Sequence, residues 1–117
     1  MVARTPRSTI DGVPRILLLC EQPPTLGSRE AGAWLRDALA GLARAAGVAG
    51  VRLVALERAG RAPHPWEWMA RIDVHDGTPP EDVVSSARFA ELLGDLRVVG
   101  MRPELVIDPG TGERVRP

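Results

Sequence analysis

Most of the side chains able to do chemistry fall on one stretch, Ala62 to Gly77, which reads APHPWEWMARIDVHDG. It holds His64 and His75, the two histidines of the chain, and Trp66 and Trp68, two of its three tryptophans. From Trp66 to His75 the residues alternate as they do in a β-strand, with Trp66, Trp68, Ala70, Ile72 and Val74 on one face and Glu67, Met69, Arg71, Asp73 and His75 on the other. Asp73 beside His75 could hold one tautomer of the imidazole and raise its pKa, giving a general base near neutral pH. Arg71 could steady a carboxylate or an enolate. Residues two apart on a strand stand about 7 Å from each other, so direct contact needs long side chains or a cross-strand partner. The same three residues equally suit an ion-pair network at a subunit contact, or a solvated edge.

The two indoles raise a parallel question. If their face meets helices, Trp66 and Trp68 could wall a site for a flat ligand, with Trp34 packed in the same layer. They could also simply fill the core, since each ring buries a large apolar area. Glu21 ends an apolar run, where a carboxylate can reach a pocket mouth, and Arg102 is a second candidate to hold an oxyanion. Two histidines eleven positions apart, with Asp73 and Asp76 nearby, match no known ligand spacing, so no metal is expected. Cys20 lies inside an apolar run, where a free cysteine behaves as a small buried hydrophobe. The DPGTG near the C-terminus is a turn with no helix after it, not a phosphate loop, and no nucleotide or other cofactor is expected.

These residues are carried by a chain of 117 residues, one domain with a small core. Fifteen basic and fifteen acidic residues balance, which argues against a nucleic-acid module or a polybasic membrane binder. Every basic residue is arginine, and lysine, asparagine and tyrosine are absent, a pattern that fits the codon bias of a GC-rich bacterial genome. A lysine Schiff base and a tyrosine acid are thereby excluded, and the single cysteine excludes an internal disulfide. The longest aliphatic run, Ile16 to Leu19, is far too short to span a membrane, and without a secretory pattern the expected location is the cytoplasm.

Residues 1–13 read as a loose arm, 14–108 as the domain and 109–117 as a turn and tail. RILLLCE, Arg15 to Glu21, is the first strand, bounded by prolines. Ser28 is expected to cap a helix whose buried stripe is Ala31, Trp34, Leu35, Ala38, Leu39, Leu42 and Ala46, with Gly47 ending it. Val51 to Arg58 is the second strand and Trp66 to His75 the third. A helix follows from about Glu81 to Arg97, with a possible break at Ser85–Ser86 and a stripe of Val83, Ala87, Ala90, Leu93 and Leu96. Pro103 to Asp108 is the last strand. This β-α-β-β-α-β order is the ferredoxin-like α+β pattern, an antiparallel sheet with both helices on one face. Leu17 and Leu19 oppose Ile16 and Leu18, so the strands are apolar on both sides. A sheet of that kind calls for a second layer, most simply another copy of the chain.

The stretches SREAGAWLRDALAGLARAAGVAGVRLVALER and SARFAELLGDLRVVGMRPELVID carry a likeness to a known family. In element order and apolar pattern the chain resembles the dimeric α+β barrel superfamily, and within it the small EthD-like proteins, over roughly Arg15 to Asp108. The resemblance implies a homodimer built sheet to sheet. It implies a cofactor-free small-molecule enzyme doing proton-transfer work such as cyclisation or isomerisation, with oxygenation second, on an aromatic or polyketide-like compound. In that reading His75 or His64 is the base, and Arg71 or Arg102 holds the oxyanion. The other reading is a homodimer that binds a ligand or serves as an accessory without catalysis.

Overall fold

The computed structural model describes residues 13–57, 65–113 and 115. Strand β1 spans Arg15–Glu21, with strict alternation of buried and half-buried positions. Ile16, Leu18 and Cys20 face the core, and Leu17 and Leu19 face the other way, half-exposed. Helix α1 follows over Ser28–Leu42, then β2 over Val48–Ala55 and β3 over Trp66–Val74. Two helices, α2 over Pro80–Val84 and α3 over Ala87–Val99, precede β4 at Glu104–Asp108.

The four strands lie in the order β2-β3-β1-β4, each pair antiparallel. This interleaves two β-α-β units, so the chain has the expected ferredoxin-like α+β fold. Ile16, Leu18, Ala70, Ile72 and Val74 line one face of the sheet, and Leu35, Leu39, Leu42, Phe89, Leu92 and Leu96 pack on them from α1 and α3. Complete burial of a side chain such as Ile16, Ile72 or Phe89 contributes roughly 1.5–3 kcal/mol. Arg88 joins the two long helices, donating from Nη1 to the Gly41 carbonyl at 3.2 Å, where the end of α1 leaves carbonyls without helical partners.

Several local expectations shift. The N-cap of α1 is Gly27 rather than Ser28, because the Glu30 carboxylate reaches back to accept from the Gly27 N–H at 2.9 Å. The helix ends at Leu42, five residues before Gly47, so Ala46 lies beyond it and is exposed. Strand β2 begins at Val48, earlier than Val51, with a bulge between Val48 and Gly50. The predicted break at Ser85–Ser86 is real and resets the helical phase. Ser86 caps α3 by accepting from the Phe89 N–H at 3.3 Å. The buried stripe is therefore Val83, Phe89, Leu92 and Leu96, and Ala87 and Ala90 are exposed.

The sheet face away from the helices carries Leu17, Leu19, Val54 and Met69, all half-exposed, and Val106, 47% exposed. Register places Arg52 opposite Arg71, and Arg15 opposite both Asp73 and Asp108, on that same face.

Candidate functional site

The candidate residues separate into two groups at different places on the sheet. Trp68, Trp66 and Glu21 stand at one end, where β1 finishes and β3 begins. Trp68 is the register partner of Cys20, Trp66 that of Glu21, and the strands slip past each other between these two pairs. Arg102 joins this end, because the Glu21 N–H donates to the Met101 carbonyl at 2.7 Å. Met101 is fully buried, while Arg102 is exposed and held at a left-handed φ of 43° before Pro103. A non-glycine residue there is strained and must be fixed by its neighbours.

Trp68 is half-buried and packs against the core, with its six-membered ring against α1 at Gly32. A Cβ on Gly32 would stand 3.0 Å from Trp68 Cη2, so only glycine lets the ring lie this close to the helix. The indole Nε1 is buried, with no hydrogen-bond partner among the described residues. Trp34, on α1 two residues beyond Gly32, is half-buried against the same core.

Gln22 lies just past the end of β1, beside this group. Its Nε2 donates to the Leu26 carbonyl at 2.6 Å, and its Oε1 is buried with no partner among the described residues. Burial at Cys20 pushes the thiol up to about 12, so it stays protonated and serves as packing.

The second group lies on the open sheet face. Asp73 Oδ1 sits between Arg15 Nε at 3.5 Å and Arg71 Nε at 3.7 Å. None of the three atoms meets hydrogen-bond geometry, so the contact is electrostatic only. The expected pairing of Asp73 with His75 is not formed: His75 is exposed, past the end of β3, and its backbone N–H donates to the Gly47 carbonyl at 2.9 Å. Seven residues of strand separate His75 from Trp68, roughly 20 Å. The structure therefore brings Trp66, Trp68, Glu21 and Arg102 to one end and leaves Arg71, Asp73 and His75 elsewhere. His64, with Arg58 and Arg61 of the same connection, lies outside the described residues. Among the described residues no three of His, Cys, Asp and Glu group as metal ligands would, and no helix is long and apolar enough to cross a membrane.

Sequence reasoning missed Gly32 and Gln22. A glycine inside an otherwise regular helical pattern was the available signal for the first, since it costs about 1 kcal/mol against alanine and marks close packing. Nothing in the pattern around Gln22 sets it apart.

No protein-family model matches the chain, and no curated protein sequence matches it. Solved structures do. An ethyl tert-butyl ether D (EthD) family protein from Bacillus halodurans superposes with a TM-score of 0.62 at 15% identity, over 88% of this chain and 99% of its own. The Arabidopsis thaliana protein At3g17210 superposes with a TM-score of 0.67 at 8% identity, with the same coverage of 88% and 99%. At such identities the likeness is one of fold. In fold, the chain is a ferredoxin-like α+β protein similar to these two structures.

Proposed function

We propose that the chain works as a homodimer, open sheet face against open sheet face, and takes up a flat, largely apolar small molecule beside Trp68. The observation that carries the binding reading is the Trp68 ring set against Gly32 with its indole N–H buried and unpartnered. A buried indole N–H ordinarily finds an acceptor. The dimer reading is supported by the apolar residues that the helices leave uncovered, Leu17, Leu19, Val54, Met69 and Val106. One structural neighbour belongs to a family named for ethyl tert-butyl ether, a small and mostly apolar molecule, which agrees in polarity with such a site.

Binding without catalysis is the function this geometry supports best. Cofactor-free proton transfer, as in a cyclase or isomerase, would need a base at the Trp68 end. Glu21 is the candidate for it among the described residues, because Asp73 is engaged by Arg15 and Arg71 and His75 stands far away. Arg102 would then hold the oxyanion.

Tryptophan fluorescence titrated with flat aromatic compounds tests the binding reading. Saturable quenching that disappears in a folded Trp68→Leu variant is expected, and no response across a broad panel would remove the reading. Light scattering at micromolar concentration tests the dimer, and a mass of 12.6 kDa, that of one chain, would refute it.

A further inference from the structure

We infer that the two copies meet with their strands running opposite ways, β3 crossing its own copy at Met69, so that Arg71 of each protomer pairs with the partner's Glu67. This rests on the reading of the open sheet face as the homodimer contact, and it adds which way round the copies sit and which charges hold them there. A two-fold contact matches a surface to itself, so residues on the axis meet their own copies and must tolerate it. One row of the open face does. Register sets Val54 opposite Met69 and Met69 opposite Leu19, three half-exposed apolar side chains across β2, β3 and β1. Glu104 ends the row on the edge strand β4, exposed at the rim. On β3 opposite charges flank the row at equal spacing, Arg71 two residues one way and Glu67 two residues the other.

Both charges lack an adequate answer within one chain. Arg71 meets Asp73 through Nε at 3.7 Å, outside hydrogen-bond geometry, and shares that carboxylate with Arg15 at 3.5 Å. Register also sets Arg52 directly opposite Arg71, a like-charged pair that opposes pairing of the two strands. Glu67 is exposed and pairs with no cation among the described residues. A second copy laid over the face takes water from both groups, and a covered charge without a partner opposes the contact strongly.

The sheet order decides which arrangement answers them. In an aligned stack the partner's strands run either the same way or the opposite way. Running the same way, the order β2-β3-β1-β4 lays β3 over the partner's β1. Arg71 then faces the partner's Leu17, and Glu67 faces the end of that strand, where Glu21 stands. Running opposite ways, each strand lies over its own copy. A crossing at Met69 sets Arg71 over the partner's Glu67, twice by symmetry. A crossing one residue along, at Ala70, would set Asp73 over the partner's Glu67, like on like. Stacked sheets stand about 10 Å apart, a gap that an arginine and a glutamate span together.

Charge exchange tests this. Sedimentation over a concentration series gives the dimer Kd of wild type, Arg71→Glu, Glu67→Arg and the double variant, with circular dichroism to check that each is folded. Each single reversal sets like charges together at two places and should weaken the dimer about a hundredfold. The double variant exchanges the two ends of each pair and should return to within about tenfold of wild type. A double variant as weak as the singles would overturn the pairing and leave the dimer standing. Wild type alone gives a second reading, which decides even where the variants fold poorly. Raising sodium chloride from about 0.05 M to about 0.5 M should weaken the dimer several-fold, because salt screens paired charges. A dimer that tightens with salt would overturn the pairing. A wild type that stays monomeric at every concentration would remove both this inference and the dimer reading beneath it.

Discussion

Replacing Gly32 with alanine should destabilise the protein, although alanine is the better helix former, and the size of the effect follows from one distance. The added Cβ would stand 3.0 Å from Trp68 Cη2, with Cζ3 at 3.5 Å and Cζ2 at 3.6 Å. Ordinary carbon contacts are about 3.5–4.0 Å, so the ring must give way by a few tenths of an ångström. The ring sits against a packed core, where such overpacking costs about 1–3 kcal/mol. Removing a helix-interior glycine returns about 1 kcal/mol. The net change is a loss of about 0–2 kcal/mol. In a Trp68→Leu background the clash is gone, and Gly32→Ala should stabilise by about 1 kcal/mol. The difference between backgrounds, about 1–3 kcal/mol, is the coupling between the two residues. Urea denaturation of the four proteins at one fixed concentration measures it, since a dimer's stability depends on concentration. A coupling below about 0.5 kcal/mol, with Gly32→Ala simply more stable than wild type, would refute the claim that the glycine exists to admit the ring.

Three further outcomes are expected. Cys20, with its thiol raised from 9.0 to about 12, should react with iodoacetamide at pH 8 about a thousandfold more slowly in the folded than in the unfolded protein. Because its folded pKa is the higher one, stability from this group is intact below pH 9 and falls as pH rises from 9 toward 12. Mass spectrometry and alkaline unfolding check the two statements, and equal labelling of native and unfolded protein would contradict both. Ser86→Ala removes the acceptor of the Phe89 N–H and should cost about 1 kcal/mol, seen as a fall of roughly 5 °C in melting temperature. Asp73→Asn should cost under about 1 kcal/mol in dilute monomer, where half-exposed ion pairs are screened, and visibly more where a second copy covers them. Equal effects at low and high protein concentration would argue that the open face is not the contact.

The sequence displayed the fold more fully than the site. Strand β1 could be read to the residue, because prolines bound it and its apolar run has no competing period. The order of elements carried the topology, since few arrangements satisfy β-α-β-β-α-β with short connections. Helix α3 was harder to phase. Ser85 and Ser86 mark a break, but only the structure shows that the cap restarts the count and brings Phe89 inward in place of Ala87 and Ala90. The site was legible as residue types and not as positions. Alternation put Asp73 and His75 on one face, yet cross-strand register gave Asp73 to Arg15, and no pattern within a single strand contains that information. Gln22 became visible only through the carbonyl that anchors it.

The two edges of the sheet have a consequence of their own. Strand β4 has five residues, set between Pro103 and Pro109, and strand β2 is bent by its bulge and carries Arg52 outward. An exposed strand edge is a template for endless lateral addition, which ends in aggregates and fibres. Short length, proline, a bulge and charge are the features that blunt such a template. A chain whose proposed partner meets it across the flat of the sheet thus has both rims guarded. Pairing through the flat face closes on itself, while growth along the rims, which would not close, is discouraged by the make-up of the two edge strands.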